Sequence, residues 1–84
     1  MMYQVTLRKT AQKALDKIIE PNQSRIVRTL LELGNNPRPH GFKKLVGREG
    51  YRIRVGDYRI IYLISDAILV VDVIDLGHRK EIYD

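Results

Sequence analysis

The stretch YRIRVGDYRIIY, residues 51–62, decides the fold. Apolar residues alternate with arginine up to Gly56-Asp57 and resume alternating beyond it. A period of two marks a half-buried strand, and a two-residue link that starts with glycine closes an antiparallel hairpin through a primed turn. That loop length fixes the register, so Val55 pairs with Tyr58 and Arg54 with Arg59. Directly opposed residues share a face of the sheet, as do alternate residues along one strand. Arg52, Arg54 and Arg59 therefore project from one side, and Tyr51, Ile53, Val55, Tyr58, Ile60 and Tyr62 from the other. The second set is an apolar face that needs a cover. The first carries a conflict, because like charges opposed on neighbouring strands destabilise a sheet. With heads ~5 Å apart the repulsion is roughly 1–3 kcal/mol before screening, and an anion held between two guanidinium forks would relieve it.

Outward from the hairpin, further strands are expected over residues 42–46 and 68–74. The links Gly47-Arg48-Glu49-Gly50 and Ser65-Asp66-Ala67 are too short for a parallel crossover, so these neighbours are antiparallel. Ile68, Leu69, Val70 and Val71 are apolar on both faces, which predicts a central strand. In the N-terminal half, YQVTL (residues 3–7) reads as a strand. Thr10 is a candidate cap for a helix whose apolar stripe is Ala11, Ala14, Leu15, Ile18 and Ile19. Glu20-Pro21-Asn22 ends it, and Ile26, Val27, Leu30 and Leu31 form a second stripe with Gly34 as the expected left-handed cap. The breaker cluster from Asn35 to Pro39 closes the helical half. The order β-α-α-β-β-β-β predicts one α+β domain over residues 1–84, with a helical hairpin on one face of a mostly antiparallel four- to five-stranded sheet. The other face is left for function.

Eighty-four residues suffice for one modest core. The chain contains no cysteine, which excludes disulfides and thiolate metal sites, and it has no signal-like start or membrane-length apolar run. Cytoplasmic residence is expected. The net charge of +5 is concentrated: residues 38–59 hold seven Lys/Arg against two acids, while the remainder balances. A localised anion-binding surface is written this way, and Lys43, Lys44 and Arg48 are candidates for RNA contact beside the arginines. The acids are scattered, and His40 and His78 lack partners at ligand spacing, so neither a metal nor a cofactor is expected. Gly47 and Gly50 frame a turn rather than open a helix, which argues against a nucleotide phosphate loop.

The C-terminal stretch DLGHRKEIYD adds His78, Arg79 and Tyr83, with Gly77 as a possible bend that brings them to the arginine face. Such a set suits attack of an RNA 2′-hydroxyl on its own adjacent phosphate, which needs a proton acceptor, a proton donor and cations for the transition state.

YRIRVGDYRIIY, followed by VVDVIDLGHRKEIYD and preceded by FKKLVGRE, closely resembles the RelE branch of the RelE/ParE toxin superfamily over the length of the chain. The resemblance implies the toxin of a type II toxin-antitoxin pair that cleaves mRNA in the ribosomal A site without metal and is neutralised by a cognate antitoxin. It assigns catalytic roles to Arg52, Arg54, Arg59, Arg79 and Tyr83. RelE-like proteins usually carry lysines on the incoming strand, where this chain has arginines. A guanidinium stays charged, so the proton acceptor is sought at Tyr83 or His78. The competing readings are a ParE-like toxin that inhibits gyrase and an RNA-binding module without catalysis.

Overall fold

The structure is a computed structural model that describes residues 2–80. Its hairpin has the register set by the two-residue turn: β3 (Tyr51–Val55) and β4 (Tyr58–Ser65) are antiparallel, with Val55 opposite Tyr58 and Arg54 opposite Arg59. Gly56 turns the chain at φ +60°, where a side chain would be strained. Around this pair lie β1 (Gln4–Leu7), α1 (Lys9–Lys17), α2 (Asn22–Asn35), β2 (Lys43–Lys44) and β5 (Val70–His78). The sheet has five strands in the order β1-β5-β4-β3-β2, and β1 runs parallel to β5 while the other neighbours are antiparallel. The helical hairpin thus carries the chain from one edge of the sheet to the other across a single face.

Under the helices, Ala11, Leu15, Ile26, Leu30 and Leu33 pack on Ile60, Tyr62, Val71, Val73 and Leu76. Full burial of one large apolar side chain stabilises by roughly 1.5–3 kcal/mol. This layer therefore outweighs a charge conflict of a few kcal/mol on the opposite face. Tyr62 is completely buried, and its hydroxyl donates to the Pro37 carbonyl at 2.7 Å. Burial pushes its phenol pKa well above the ordinary tyrosine value.

Several boundaries differ from the sequence-based expectations. The first helix is capped by Arg8, in extended conformation, and Thr10 lies inside it. The Arg8 N–H donates to the Val73 carbonyl, so the chain passes from strand pairing directly into the helix. Ile18 is already extended and Ile19 is 78% exposed, which ends the first stripe early. Gly34 is helical rather than a left-handed cap. Its value is closeness, because a Cβ there would stand 3.1 Å from the Tyr3 carbonyl oxygen. Only Lys43 and Lys44 pair within the expected strand 42–46, and Val46 is exposed. Ile68 and Leu69 belong to the turn, with Leu69 at φ +54°, and β5 runs on through Gly77 without bending. β5 is interior, but the middle position belongs to β4.

Candidate functional site

Three strands build the candidate site. Pairing places Lys43 opposite Arg52, Arg52 opposite Ile61, and Ile61 opposite Asp75, so these four form one cross-strand row on the face away from the helices. The next row is Arg54, Arg59 and Gly77. Lys43, Arg52, Arg54 and Arg59 therefore share a face, as the hairpin register requires.

That face is not wholly open. Arg52 keeps only 9% of its exposure, and Leu45 and Ile61 are buried outside the main core. Leu45 and Leu63 meet over Gly50, whose φ of +122° and lack of a Cβ permit the approach. Apolar side chains thus adjoin the arginine row, with buried Ile61 opposite buried Arg52, while Arg54 stays exposed. Burial among apolar groups strengthens a guanidinium's hold on an anion by lowering the local dielectric.

β5 carries an irregularity opposite Ile61/Tyr62: Asp75 pairs with Ile61 and Val73 with Tyr62, leaving Ile74 as the extra residue. One extra residue inverts the facing of everything after it. Val71 and Val73 face the helices before the bulge, and Leu76 faces them after it. His78, opposite Tyr58, follows Leu76 onto the helix-covered side. There its ring meets Tyr58 edge-on at 5.6 Å, and the residue lines a groove with Lys13, Lys17 and Ile18. Its Nδ1 accepts the Lys80 N–H at 3.2 Å, which leaves the other ring nitrogen to carry the proton of the neutral form. The expected convergence of His78 with the arginines is thus not observed.

The same inversion turns Gly77 toward the arginine side, and Arg79 follows in the turn after β5. The Arg79 N–H donates to the Asp57 carbonyl at 2.8 Å, and its Nε stands 3.9 Å from Asp57 Oδ1, which fixes it beside the β3–β4 turn. Both side chains are exposed, so the ion pair itself contributes little. Lys44 lies opposite Tyr51, whose side chain belongs to the helix-facing set, and Arg48 is exposed in the turn before β3. Neither joins the arginine rows. Tyr83 lies outside the described residues.

Arg38, counted in the basic segment, serves elsewhere. Its guanidinium binds Asp66 through two nitrogens at 3.2 and 2.8 Å, and the Tyr3 hydroxyl donates to the same carboxylate at 2.6 Å. These bonds, from Arg38 first, lower the Asp66 pKa to about 2. Two acids missing from the sequence-based site lie on the arginine-bearing face. Asp72 is bound by Arg8 at 2.9 Å and accepts from Thr6 at 3.2 Å, and Asp75 sits in the Arg52 row. Asp72 follows from alternation with Val71 and Val73, whereas Asp75 reaches this face only through the bulge, which no local sequence signal announces. Among the described residues, no group of three or more His, Asp or Glu could hold a metal ion, and no helix is long and apolar enough to cross a membrane.

The model of the ParE toxin of type II toxin-antitoxin systems (parDE) matches residues 5–83. No curated protein sequence matches the chain. Among solved structures, the archaeal RelE-RelB complex from Pyrococcus horikoshii is similar at 30% identity, with a TM-score of 0.84 over 98% of this chain and 100% of that one. The RelBE2 toxin-antitoxin complex of Mycobacterium tuberculosis follows at 27% identity and TM-score 0.82, covering 94% and 100%. The intact E. coli RelBE complex is 28% identical with TM-score 0.78, covering 90% and 95%.

Proposed function

The chain belongs to the ParE toxin family of type II toxin-antitoxin systems, within the RelE/ParE superfamily, and on that premise we propose that it is a ribosome-dependent endoribonuclease that cleaves mRNA in the A site and so stops translation. The observation that carries this reading is the gathering of Lys43, Arg52, Arg54 and Arg59 on one face, with Arg79 tethered at its end. A cross-strand arginine pair opposes folding, and a phosphodiester seated between the two guanidinium groups offsets that cost.

In the proposed reaction the RNA 2′-hydroxyl gives up its proton as its oxygen attacks the adjacent phosphorus, the P–O5′ bond breaks with the 5′-oxygen taking a proton from water, and a 2′,3′-cyclic phosphate remains. Arg52, Arg54, Arg59 and Arg79 stabilise the charge that gathers on the phosphorane-like transition state. Lys43 holds a flanking phosphate, with exposed Arg48 further out along the chain's path. Guanidinium groups stay charged and cannot take the proton from the 2′-hydroxyl. Of the two acceptors considered, the helix-side position of His78 and its bond from the Lys80 N–H favour Tyr83. No metal or cofactor enters the scheme. The complexes of similar toxins with RelB antitoxins support a cognate antitoxin as this chain's protein partner, and the net charge of +5 suits an acidic one.

Cleavage of ribosome-bound mRNA by single variants tests the assignment. A general base is worth about 10²–10⁴ in rate, so Tyr83→Phe should lose at least about a hundredfold. His78→Ala should stay within a few-fold of the parent; the opposite ranking would move the acceptor to His78. A second reading, inhibition of gyrase, is favoured by the family model's own description and predicts intact mRNA with DNA damage.

A further inference from the structure

Asp75 stands where a surface built only to grip phosphate would not have it. It occupies the row of Lys43, Arg52 and Ile61, one strand beyond Ile61, on the basic face. Of the two acids that β5 sends to this face, Asp72 is neutralised by Arg8 and Thr6. Asp75 is not: among the described residues it forms no ion pair, and its Oδ1 accepts the Leu76 N–H at 2.9 Å. The second carboxylate oxygen has no hydrogen-bond donor from the described residues. An unneutralised carboxylate beside a phosphate site weakens phosphate binding, so its presence calls for a group that it attracts.

Geometry supplies the candidate. Asp75 lies opposite Ile61, in the row beside the one that holds Arg59 and Gly77, and Gly77 adds no side chain next to it; diagonal neighbours on paired strands stand about 7–8 Å apart, within reach of long side chains. A phosphate seated on Arg54 and Arg59 would carry its nucleotide's base over this part of β5. A carboxylate only accepts hydrogen bonds, and the exocyclic amino groups of cytosine, adenine and guanine donate them at base edges that single-stranded RNA exposes. We propose that Asp75 is a specificity-determining residue of this toxin, which selects an amino-bearing base over uracil beside the cleaved phosphate. The proposal rests on the endoribonuclease reading and concerns its sequence preference, leaving the cleavage chemistry to the arginines.

The test maps cleavage sites on the same translated mRNAs for the parent, Asp75→Asn and Asp75→Ala, with melting temperature as a folding control. The parent should favour amino-bearing bases over uracil at one position next to the cut, by about 5- to 150-fold, the range of a good base contact. Asp75→Asn, which offers both a donor and an acceptor, should admit uracil there while total cleavage stays within a few-fold. Asp75→Ala should lose the preference altogether. An unchanged site profile in both variants overturns the proposal alone, as does a uniform rise or fall at every site, which would mark a purely electrostatic or structural effect. A parent that cuts no mRNA overturns the endoribonuclease reading and this proposal with it.

Discussion

Arg54 and Arg59 oppose one another on adjacent strands because a two-residue turn leaves them no other register. Like charges so opposed disfavour a sheet, and a register that keeps them there is the clearest trace of function in single residues. Replacing exposed Arg54 with the strand former threonine should leave stability unchanged or raise it by about 0.2–1 kcal/mol, measured by denaturant unfolding at low salt, with the gain shrinking as salt screens the pair. The same Arg54→Thr variant should lose mRNA cleavage by at least about tenfold, as expected when a charge-assisted contact worth ~1.5–3 kcal/mol disappears. A variant that is both less stable and fully active would contradict the trade. The arginine face was legible in sequence because it follows from local spacing alone. The burial of Arg52 was not, since it depends on neighbours remote in sequence, Ile61 on the next strand among them. The facing of His78 was illegible for a related reason: the extra residue in β5 inverts it, and bulges are decided by pairing with a neighbouring strand.

Between elements, the Arg38–Asp66–Tyr3 cluster ties the loop after α2 to the β4–β5 turn and to the start of β1. These three segments are remote in sequence, so nothing local marks Arg38 as different from the site cations around it. Bonds from Arg38 and Tyr3 hold Asp66 below an ordinary carboxylate, with a pKa of about 2 in the folded chain. A depressed carboxylate pKa contributes stability that is fully present above the unfolded value, about 3.9, and is lost as pH falls toward 2. Asp66→Asn should therefore melt at a lower temperature than the parent at pH 7. Its further loss between about pH 4 and pH 2 should be smaller, because one linked proton has been removed. Thermal unfolding across that range checks it, and parallel acid profiles for parent and variant would show that the cluster contributes nothing to folding. The helices and the hairpin were readable from their periods. Element ends were not, as where Ile68 and Leu69 joined a turn instead of β5.

At the scale of the molecule, the sheet divides its labour by face. The helix-covered face holds the main core, and the other holds the arginine rows, adjoining apolar side chains and two acids. The basic segment read from composition does not map onto one surface, since Arg38 binds Asp66 and Lys44 faces the helix side. Sequence shows where charge lies along the chain, whereas strand parity decides which charges meet. The fold class and most of the cation set were legible because the central hairpin dictates both. The C-terminal contribution depended on a bulge that only the assembled sheet displays. The central claim is that this face cuts mRNA on the ribosome, and primer extension on translated mRNA after induction of the chain tests it most directly. Discrete breaks within codons, lost in Arg59→Ala and absent when translation is blocked, are the predicted result. Intact mRNA accompanied by gyrase-linked DNA damage would contradict it.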